Sequence, residues 1–303
     1  MSNDHDDHAE HPDDVQPNVR KTYKLYVGGQ FVRSESGQVA RQLDARGGFF
    51  ANASKASRKD LRDAVKSARG AFGGWAARSA FNRGQILYRC AEMLAGRRSQ
   101  FEQLLVELCG RDREAAAREV AVSIERVFWY AGFCDKFAQV LGGVNPIASP
   151  YNNFTFNEPC GVVAVLAPRG GGLIGLVSAL FPVLAGGNAA VLVVDHDLPV
   201  VALEFAEVLA TSDVPAGVVH VLAGEFAELA PHAADHMDVD ALALFGGDDT
   251  LRTDLVRRAA SNIKRVAEFE ERSIDAWLAR DAQSGYWIEK FVEWKTSWHP
   301  IGV

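Results

Sequence analysis

Apolar residues recur every three to four positions between residues 57 and 139, which is the spacing of amphipathic helices. Ser57 can cap a first helix, and Gly73-Gly74 are expected to end it. The same spacing predicts further helices over about 82–94, 98–108 and 115–139. A layer of four helices is therefore expected before the main sheet.

Short apolar runs and helical patterns alternate from residue 151 onward. This alternation predicts a doubly wound parallel sheet of the α/β class, because strands joined through helices pair in parallel. Ligands of such sheets bind beyond the carboxyl ends of the strands, so the candidate site lies near Pro168, Val194 and Gly246. The predicted strands are 151–156, 162–166, 189–194, 218–222 and 241–245, and the predicted helices are 173–185, 199–210 and 225–232.

Two further segments with strand patterns flank this region. Residues 24–33 predict a β-hairpin that turns at Gly28-Gly29. Residues 286–298 alternate large apolar with polar side chains, which predicts a strand with one buried face. A strand this late in the chain needs a partner edge.

The composition is that of a soluble globular protein with one large or two moderate domains. Of the 303 residues, 48% are hydrophobic and 23% charged, and the net charge of -7 argues against nucleic acid as the main partner. Residues 1–20 are rich in Asp and His and predict a disordered acidic tail without a metal site. They lack the apolar core of a secretory signal, and glycines interrupt the longest apolar run, so a cytoplasmic protein without a membrane span is expected.

The four cysteines are widely spaced, and none forms a Cys-x-x-Cys pair. Cys90, Cys109 and Cys134 fall within helical apolar patterns and are expected to be small core residues. This usage fits a reducing compartment.

Several short segments, in their order along the chain, resemble the aldehyde dehydrogenase superfamily. The resemblance runs from about residue 24 to 266 and resumes at Tyr286, and the closing residues 292–298 are similar to the family's terminal oligomerisation strand. It implies a Rossmann-like dinucleotide domain with a small oligomerisation element. The segments are 25–32 (LYVGGQFV), 158–163 (EPCGVV), 184–192 (LAGGNAAVL), 214–219 (VPAGVV), 238–240 (DVD) and 262–266 (NIKRV).

The resemblance also divides the chain into five parts. An acidic tail is followed by the helical part of the dinucleotide domain, an oligomerisation hairpin, the Rossmann-like core and a C-terminal oligomerisation strand. The expected boundaries are 1–20, 21–145, 146–162, 163–275 and 285–303.

The positions that match the family's cofactor site have changed in this chain. Val193 and His196 stand where the family has the Lys and Glu that hold the adenosine ribose. The phosphate motif begins at Gly246, but its Ser is replaced by Gly247. Asp248 is expected to cap the following helix, so that its carboxylate takes the place that a pyrophosphate would have at the helix start. No cofactor is firmly predicted, and weak NAD or NADP binding would involve Pro168, Gly170, Val193, Gly246 and Gly247.

The glycines 170–172 admit two interpretations. They could let the backbone approach a phosphate closely, or they could form a flexible loop, which is the favoured interpretation.

The family's chemistry requires a nucleophilic Cys, an Asn for the oxyanion and a Glu as general base. Gly170 takes the place of the Asn, and Phe269 falls on the Glu, although a one-residue slip would bring Glu268 or Glu270 there. The family nucleophile lies well beyond the general-base motif, whereas no Cys follows Cys160, which is expected to be a buried thiol with a raised pKa. No catalytic residue is therefore predicted, and the catalytic segment is expected to be absent.

Two functions remain open. The first is a noncatalytic subunit that assembles with, and stabilises or regulates, a full-length aldehyde dehydrogenase, or else forms a homo-oligomer. The alternative is an NAD(P)-binding oxidoreductase that acts on aldehydes only as part of a complex. The expected interface residues are Tyr151, Phe154, Phe156, Trp287, Phe291, Trp294 and Trp298.

Overall fold

The computed structural model describes residues 21–301, so the predicted acidic tail lies outside the described residues. Gly28 and Gly29 have φ values of 61° and 82°, which confirms the predicted hairpin turn. Two strands that the sequence reading did not predict follow this hairpin. The first strands are β1 (Thr22–Tyr23), β2 (Leu25–Val27), β3 (Gln30–Val32), β4 (Val39–Leu43) and β5 (Phe49–Ser54).

The helical layer forms as predicted, with two corrections. Ser57 caps the first helix in a capping box with Asp60, but this helix continues through Gly73-Gly74 because the buried Trp75 anchors its last turn. The predicted fourth helix is two helices with a break after Phe133. The helices are α1 (Arg58–Ala76), α2 (Ala80–Gly96), α3 (Arg98–Cys109), α4 (Arg113–Phe133) and α5 (Phe137–Leu141).

Strands and helices then alternate as the sequence predicts. A further helix and a further strand, which the sequence analysis did not predict, follow residue 245 and extend the series. The elements are β6 (Gly143–Val144), β7 (Tyr151–Pro159), β8 (Val162–Leu166), α6 (Gly172–Ala185), β9 (Ala189–Val194), α7 (Pro199–Ala210), β10 (Val219–Ala223), α8 (Phe226–Asp235), β11 (Ala241–Leu244), α9 (Asp249–Ala260) and β12 (Arg265–Glu268).

The main sheet has the order β12-β11-β8-β9-β10-β2-β3. Strands β8 to β12 are parallel, and β2 and β3 extend the sheet with antiparallel pairing. The chain moves outward from β8 through β9 and β10, and then returns to the other side of β8 with β11. The doubly wound fold is thus confirmed, and its topological switch point lies between β8 and β11.

The segment after β12 folds differently from the prediction. It forms α10 (Ile274–Leu278), a 3₁₀ helix (Arg280–Ala282), α11 (Gly285–Glu289) and β13 (Val292–Pro300). Trp287 therefore lies in α11 instead of a strand, and Phe291 is fully buried before β13 begins. Both side chains turn inward because they join an aromatic cluster around Phe269. The prediction that the strand already includes residues 286–291 is wrong.

Strand β13 finds its partner edge within the same chain. It pairs antiparallel with β7 along its whole length, from Val292 opposite Pro159 to Pro300 opposite Tyr151, in a sheet of order β13-β7-β6. A hairpin forms near the predicted range of 146–162, but its first strand is β6, before residue 146, which pairs antiparallel with β7. No helix within residues 21–301 is both long and apolar enough to cross a membrane.

The predicted interface residues that remain on this small sheet occupy two faces, because directly opposed residues of antiparallel strands share a face. Trp294 and Trp298 lie opposite Asn157 and Asn153, and thus on the same face as Tyr151. Phe154 and Phe156 alternate with these positions and lie on the other face. The sequence reading did not separate the two faces.

Candidate functional site

The carboxyl ends of β8, β9 and β11 meet at one edge of the main sheet, as the sequence predicts. The backbone N–H of Ala167 donates to Val193, and that of Gly246 donates to Leu166, which ties the three strand ends together. A cleft of about 490 Å³ opens beside them. Its lining is mostly charged and consists of Arg169, Phe245, Gly246, Gly247, Asp248, Asp249, Arg252, Glu270 and Glu271.

The crevice between β8 and β11 is filled by an aromatic ring of the chain itself. Phe226 opens helix α8 and is 1% exposed. A Cβ atom added to Gly246 would lie 2.5 Å from Cε2 of Phe226 and 2.4 Å from the carbonyl oxygen of Ala167. Gly246 is therefore a glycine because the ring and the neighbouring strand end leave no space for a side chain.

A buried ion pair lies beside this ring. The Arg169 guanidinium donates to Oδ2 of Asp195 from Nε at 3.1 Å and from Nη2 at 2.5 Å. Burial alone would raise the pKa of Asp195, but the hydrogen bonds from Arg169 and His196, together with the charge of Arg169, outweigh this effect and hold that pKa below its ordinary value. The guanidinium carbon also lies 5.6 Å from the centre of the Phe226 ring.

Carboxylates of the chain already occupy two of the backbone donors at this edge. Asp248 accepts from the N–H of Leu251 at 2.8 Å and caps α9, which confirms its predicted role. Asp197 accepts from the N–H of Gly170 at 2.8 Å. A pyrophosphate would have to displace these acceptors and approach their negative charge.

Glu119 performs the same role at the start of helix α6. This buried carboxylate accepts from the N–H of Leu173 at 2.7 Å and from Nε of Arg111 at 3.2 Å. A Cβ atom at Gly172 would lie 2.0 Å from Oε1 of Glu119, so the glycine allows close approach of an anion, but the anion is an internal side chain. Neither interpretation of the glycine run anticipated this contact.

The residues at this edge do not fit a dinucleotide bound in the family's manner. Val193 is fully buried in β9 opposite Leu166 and offers no polar group to a ribose. His196 is exposed, and its Nδ1 lies 3.1 Å from Oδ1 of Asp195. The Phe226 ring against Gly246 and the carboxylates on the N–H groups of Gly170 and Leu251 likewise disfavour the cofactor's diphosphate at this edge.

A cation would meet charges that are already balanced. The ligand atoms of Asp195, His196 and Glu225 lie within 4.8 Å of one another, which is close enough to share a metal ion. However, Arg169 pairs with Asp195, and Lys55 lies 3.5 Å from Glu225. These two cations oppose the binding of a third positive charge.

Phe269 takes up an apolar environment at the position of the family's general base. Its ring stacks on Phe245 with the centroids 3.9 Å apart. Glu268 is exposed at the end of β12, and Glu270 lies at the exposed rim of the cleft, so both carboxylates of the one-residue slip lie outside the aromatic cluster. A general base is thus missing from the aligned position itself.

The four thiols are poor nucleophiles. Burial raises the pKa of Cys90, Cys134 and Cys160 to about 12 and that of Cys109 to about 11. Cys160 lies before β8, at the opposite edge of the sheet from the cleft, and its thiol contacts Oδ1 of Asn188 at 3.3 Å. The expected raised pKa of Cys160 is confirmed, and the thiolate that nucleophilic attack needs is disfavoured.

The sequence analysis did not predict the side chains that close the carboxyl edge of the main sheet, namely Arg169, Asp195 and Phe226. Arg169 and Asp195 follow the ends of neighbouring parallel strands, and this shared position could have predicted their ion pair. Phe226 gives no comparable signal, because an apolar residue in the first turn of a helix usually packs against a sheet.

Comparisons with known proteins agree with this fold. The model of the aldehyde dehydrogenase family matches residues 31–269. Among curated relatives, aldehyde dehydrogenase family 2 member B4 of Arabidopsis thaliana is 31% identical over 257 residues, which cover 83% of this chain and 47% of that protein. Human cytosolic 10-formyltetrahydrofolate dehydrogenase is 30% identical over 257 residues, with 82% of this chain and 28% of that protein covered.

Solved structures give the same result. The NAD+ complex of aldehyde dehydrogenase from Bacillus cereus has a TM-score of 0.75 and 26% identity, and HpcC from Thermus thermophilus has a TM-score of 0.77 and 25% identity. Both matches cover 82% of this chain, and they cover 50% and 48% of those chains. The chain thus spans about half the length of these proteins, and it belongs to the aldehyde dehydrogenase family.

Proposed function

We propose that this chain is a noncatalytic subunit of the aldehyde dehydrogenase family that assembles with a full-length aldehyde dehydrogenase through the outer edge of β13. Within residues 21–301 no strand pairs with the outer edge of β13, and this observation carries the proposal. The changed positions Gly170, Val193 and Phe269 support the noncatalytic part, because they lack the side chains that the family's chemistry uses.

The backbone geometry identifies which groups of β13 are available to a partner. Cys160 donates its N–H to Phe291, and Ile301 donates to Pro150, so the odd-numbered residues of this segment bond to β7. The even-numbered residues Trp294, Thr296 and Trp298 consequently turn their N–H and C=O groups away from β7. A strand from a second chain could pair with these groups and extend the sheet.

The strand at this edge also carries large aromatic side chains that a partner chain could bury. Trp294 is 41% exposed and Trp298 59% exposed, and Tyr151 lies beside Trp298 with ring centroids 6.0 Å apart. Large aromatic residues contribute strongly to protein interfaces when a partner covers them. The combination of unpaired backbone groups and exposed indole rings is an aggregation hazard unless another chain covers it.

The proposal is tested by co-expressing the tagged chain with a full-length aldehyde dehydrogenase from the same genome. We expect the two to co-purify with the wild type and to separate with Thr296→Pro, which removes an outward N–H and keeps the ladder to β7. Thr296→Val is the matched control, because it keeps that N–H and the β-branched shape. Equal recovery of the partner with all three chains would contradict assembly through β13.

The second candidate is an NAD(P)-binding oxidoreductase that acts on aldehydes within a complex. Its support is the fold shared with the NAD+ complex of the Bacillus cereus enzyme. Titration calorimetry of the purified chain with NAD+ and NADP+ separates the candidates. A dissociation constant in the micromolar range would favour the oxidoreductase.

A further inference from the structure

We propose that Phe226, held by the Arg169–Asp195 ion pair, is a built-in plug that keeps the switch-point crevice closed to adenine nucleotides. This inference goes beyond the proposed assembly and does not depend on it, because it concerns the carboxyl edge of the main sheet and not the small sheet that contains β13.

The ring occupies the place where the sheet topology would put a ligand. The order β11-β8-β9 locates the switch point at Ala167 and Gly246, which follow β8 and β11. Atoms of Phe226 lie so close to Gly246 that even a methyl group there would overlap with them. A planar base cannot pack against Gly246 while the ring takes this position, because two groups cannot share the same close-packed space.

The ion pair fixes the ring from the solvent side. Asp195 is 2% exposed and Arg169 is 43% exposed, so the guanidinium covers a buried carboxylate and lies over the ring at the mouth of the crevice. Removing either partner would leave the other charge unpaired, which favours the closed arrangement. The plug is therefore part of the folded structure and does not need a ligand to order it.

The plug and the carboxylates make separable contributions. Phe226 excludes a ligand by its volume, whereas Asp197 and Asp248 exclude phosphate groups by occupying Gly170 N–H and Leu251 N–H. Adenosine carries no phosphate and so reports on the ring alone. NAD+ reports on both effects together.

The experiment is calorimetric titration of adenosine and NAD+ into the wild type, Arg169→Ala, Phe226→Ala and the double variant. For the wild type we expect dissociation constants weaker than about 1 mM for both ligands. The double variant should bind adenosine at least about tenfold more tightly than the wild type, and NAD+ should gain less. Arg169→Ala, which releases the ring but leaves Asp195 unpaired, should gain in the same direction by a smaller factor.

Phe205→Ala is the matched control, because Phe205 is a fully buried ring that packs against Phe101 and Phe181 away from the crevice. It creates a cavity of similar size and should leave adenosine binding unchanged. Circular dichroism checks that each variant is folded. The plug is contradicted if the wild type binds NAD+ in the micromolar range, or if no folded variant gains affinity for adenosine over the wild type and Phe205→Ala.

Discussion

His220 links the N-terminal hairpin to the main sheet through a neutral imidazole. Its Nδ1 accepts from the N–H of Gly28 at 3.2 Å, and its Nε2–H donates to the carbonyl oxygen of Gly217 at 3.0 Å. The side chain is fully buried, and burial lowers its pKa from 6.5 to about 4. Protonation would place a charge in the core and break the bond from Gly28.

This geometry predicts a pH-dependent stability. Because the folded pKa is depressed, the unfolded chain binds a proton first, so the contribution of His220 is complete above pH 6.5 and declines as the pH falls towards 4. The expected loss between pH 7 and pH 5 is ~2 kcal/mol, from about 1.4 kcal/mol for each pH unit between the unfolded and the folded pKa. Urea unfolding of the wild type and His220→Gln at pH 7 and pH 5 measures it. Identical pH slopes for the two proteins would contradict this account.

A second prediction concerns Phe269, which replaces the family's general base. Phe269→Glu restores the carboxyl group, but it places a charge against Phe245 in an aromatic cluster. We expect a loss of at least about 2 kcal/mol in unfolding free energy and no gain of aldehyde oxidation. Phe269→Leu, which stays apolar, should lose less. A stable, active Phe269→Glu protein would show that the interpretation of this position is wrong.

At the scale of elements, strand-helix alternation predicted the central fold well. The predicted bounds of β8, β9 and α7 agree with the structure at both ends, because a continuous apolar run or a Pro at the helix start marks them clearly. The wrong predictions include the end of α1 and the C-terminal segment. Gly73-Gly74 did not end α1, since tertiary packing of Trp75 outweighs the cost of two glycines in its last turns.

The C-terminal segment shows why a local pattern of apolar and polar residues does not suffice to predict secondary structure. Period-two alternation suggested one strand over residues 286–298, yet Trp287 and Phe291 turn inward. Their partners, including Phe245 and Phe269, are distant in sequence, and no local pattern reveals this cluster. For the same reason the positions of Pro168 and Gly246 were predictable from the strand ends, whereas the contact between Phe226 and Gly246 was not.

Helix α10 anchors the segment between β12 and β13 to the Rossmann-like core. Trp277 is 1% exposed and packs against Phe245 and Trp287, with Arg272 over its ring. We expect Trp277→Ala to lower the unfolding free energy by about 3–5 kcal/mol, because it leaves a cavity in this cluster.

Tyr286→Ala is the control for this prediction, because Tyr286 lies in the neighbouring helix and is 66% exposed. It should change the unfolding free energy by less than about 0.5 kcal/mol. Chemical denaturation of both variants provides the measurement. Equal losses would indicate that α10 does not anchor this segment.

At the scale of the whole molecule, the chain combines two different sheet edges. Its own side chains close the carboxyl edge of the main sheet, whereas no strand within residues 21–301 pairs with the outer edge of β13. The first is filled by Phe226 and by carboxylates that cap backbone donors. The second presents Trp294 and Trp298 beside unpaired backbone groups. These two features are the basis of the proposed role, in which the chain assembles with a partner and does not oxidise aldehydes by itself.

The mass of the purified chain in solution tests this view most directly. Light scattering coupled to size-exclusion chromatography should give a mass well above the 32.9 kDa of one chain, either as a complex with a co-purified family member or as a homo-oligomer. Thr296→Pro should shift that mass towards a single chain. A stable, soluble wild-type monomer of 32.9 kDa would contradict the assembly role assigned to β13.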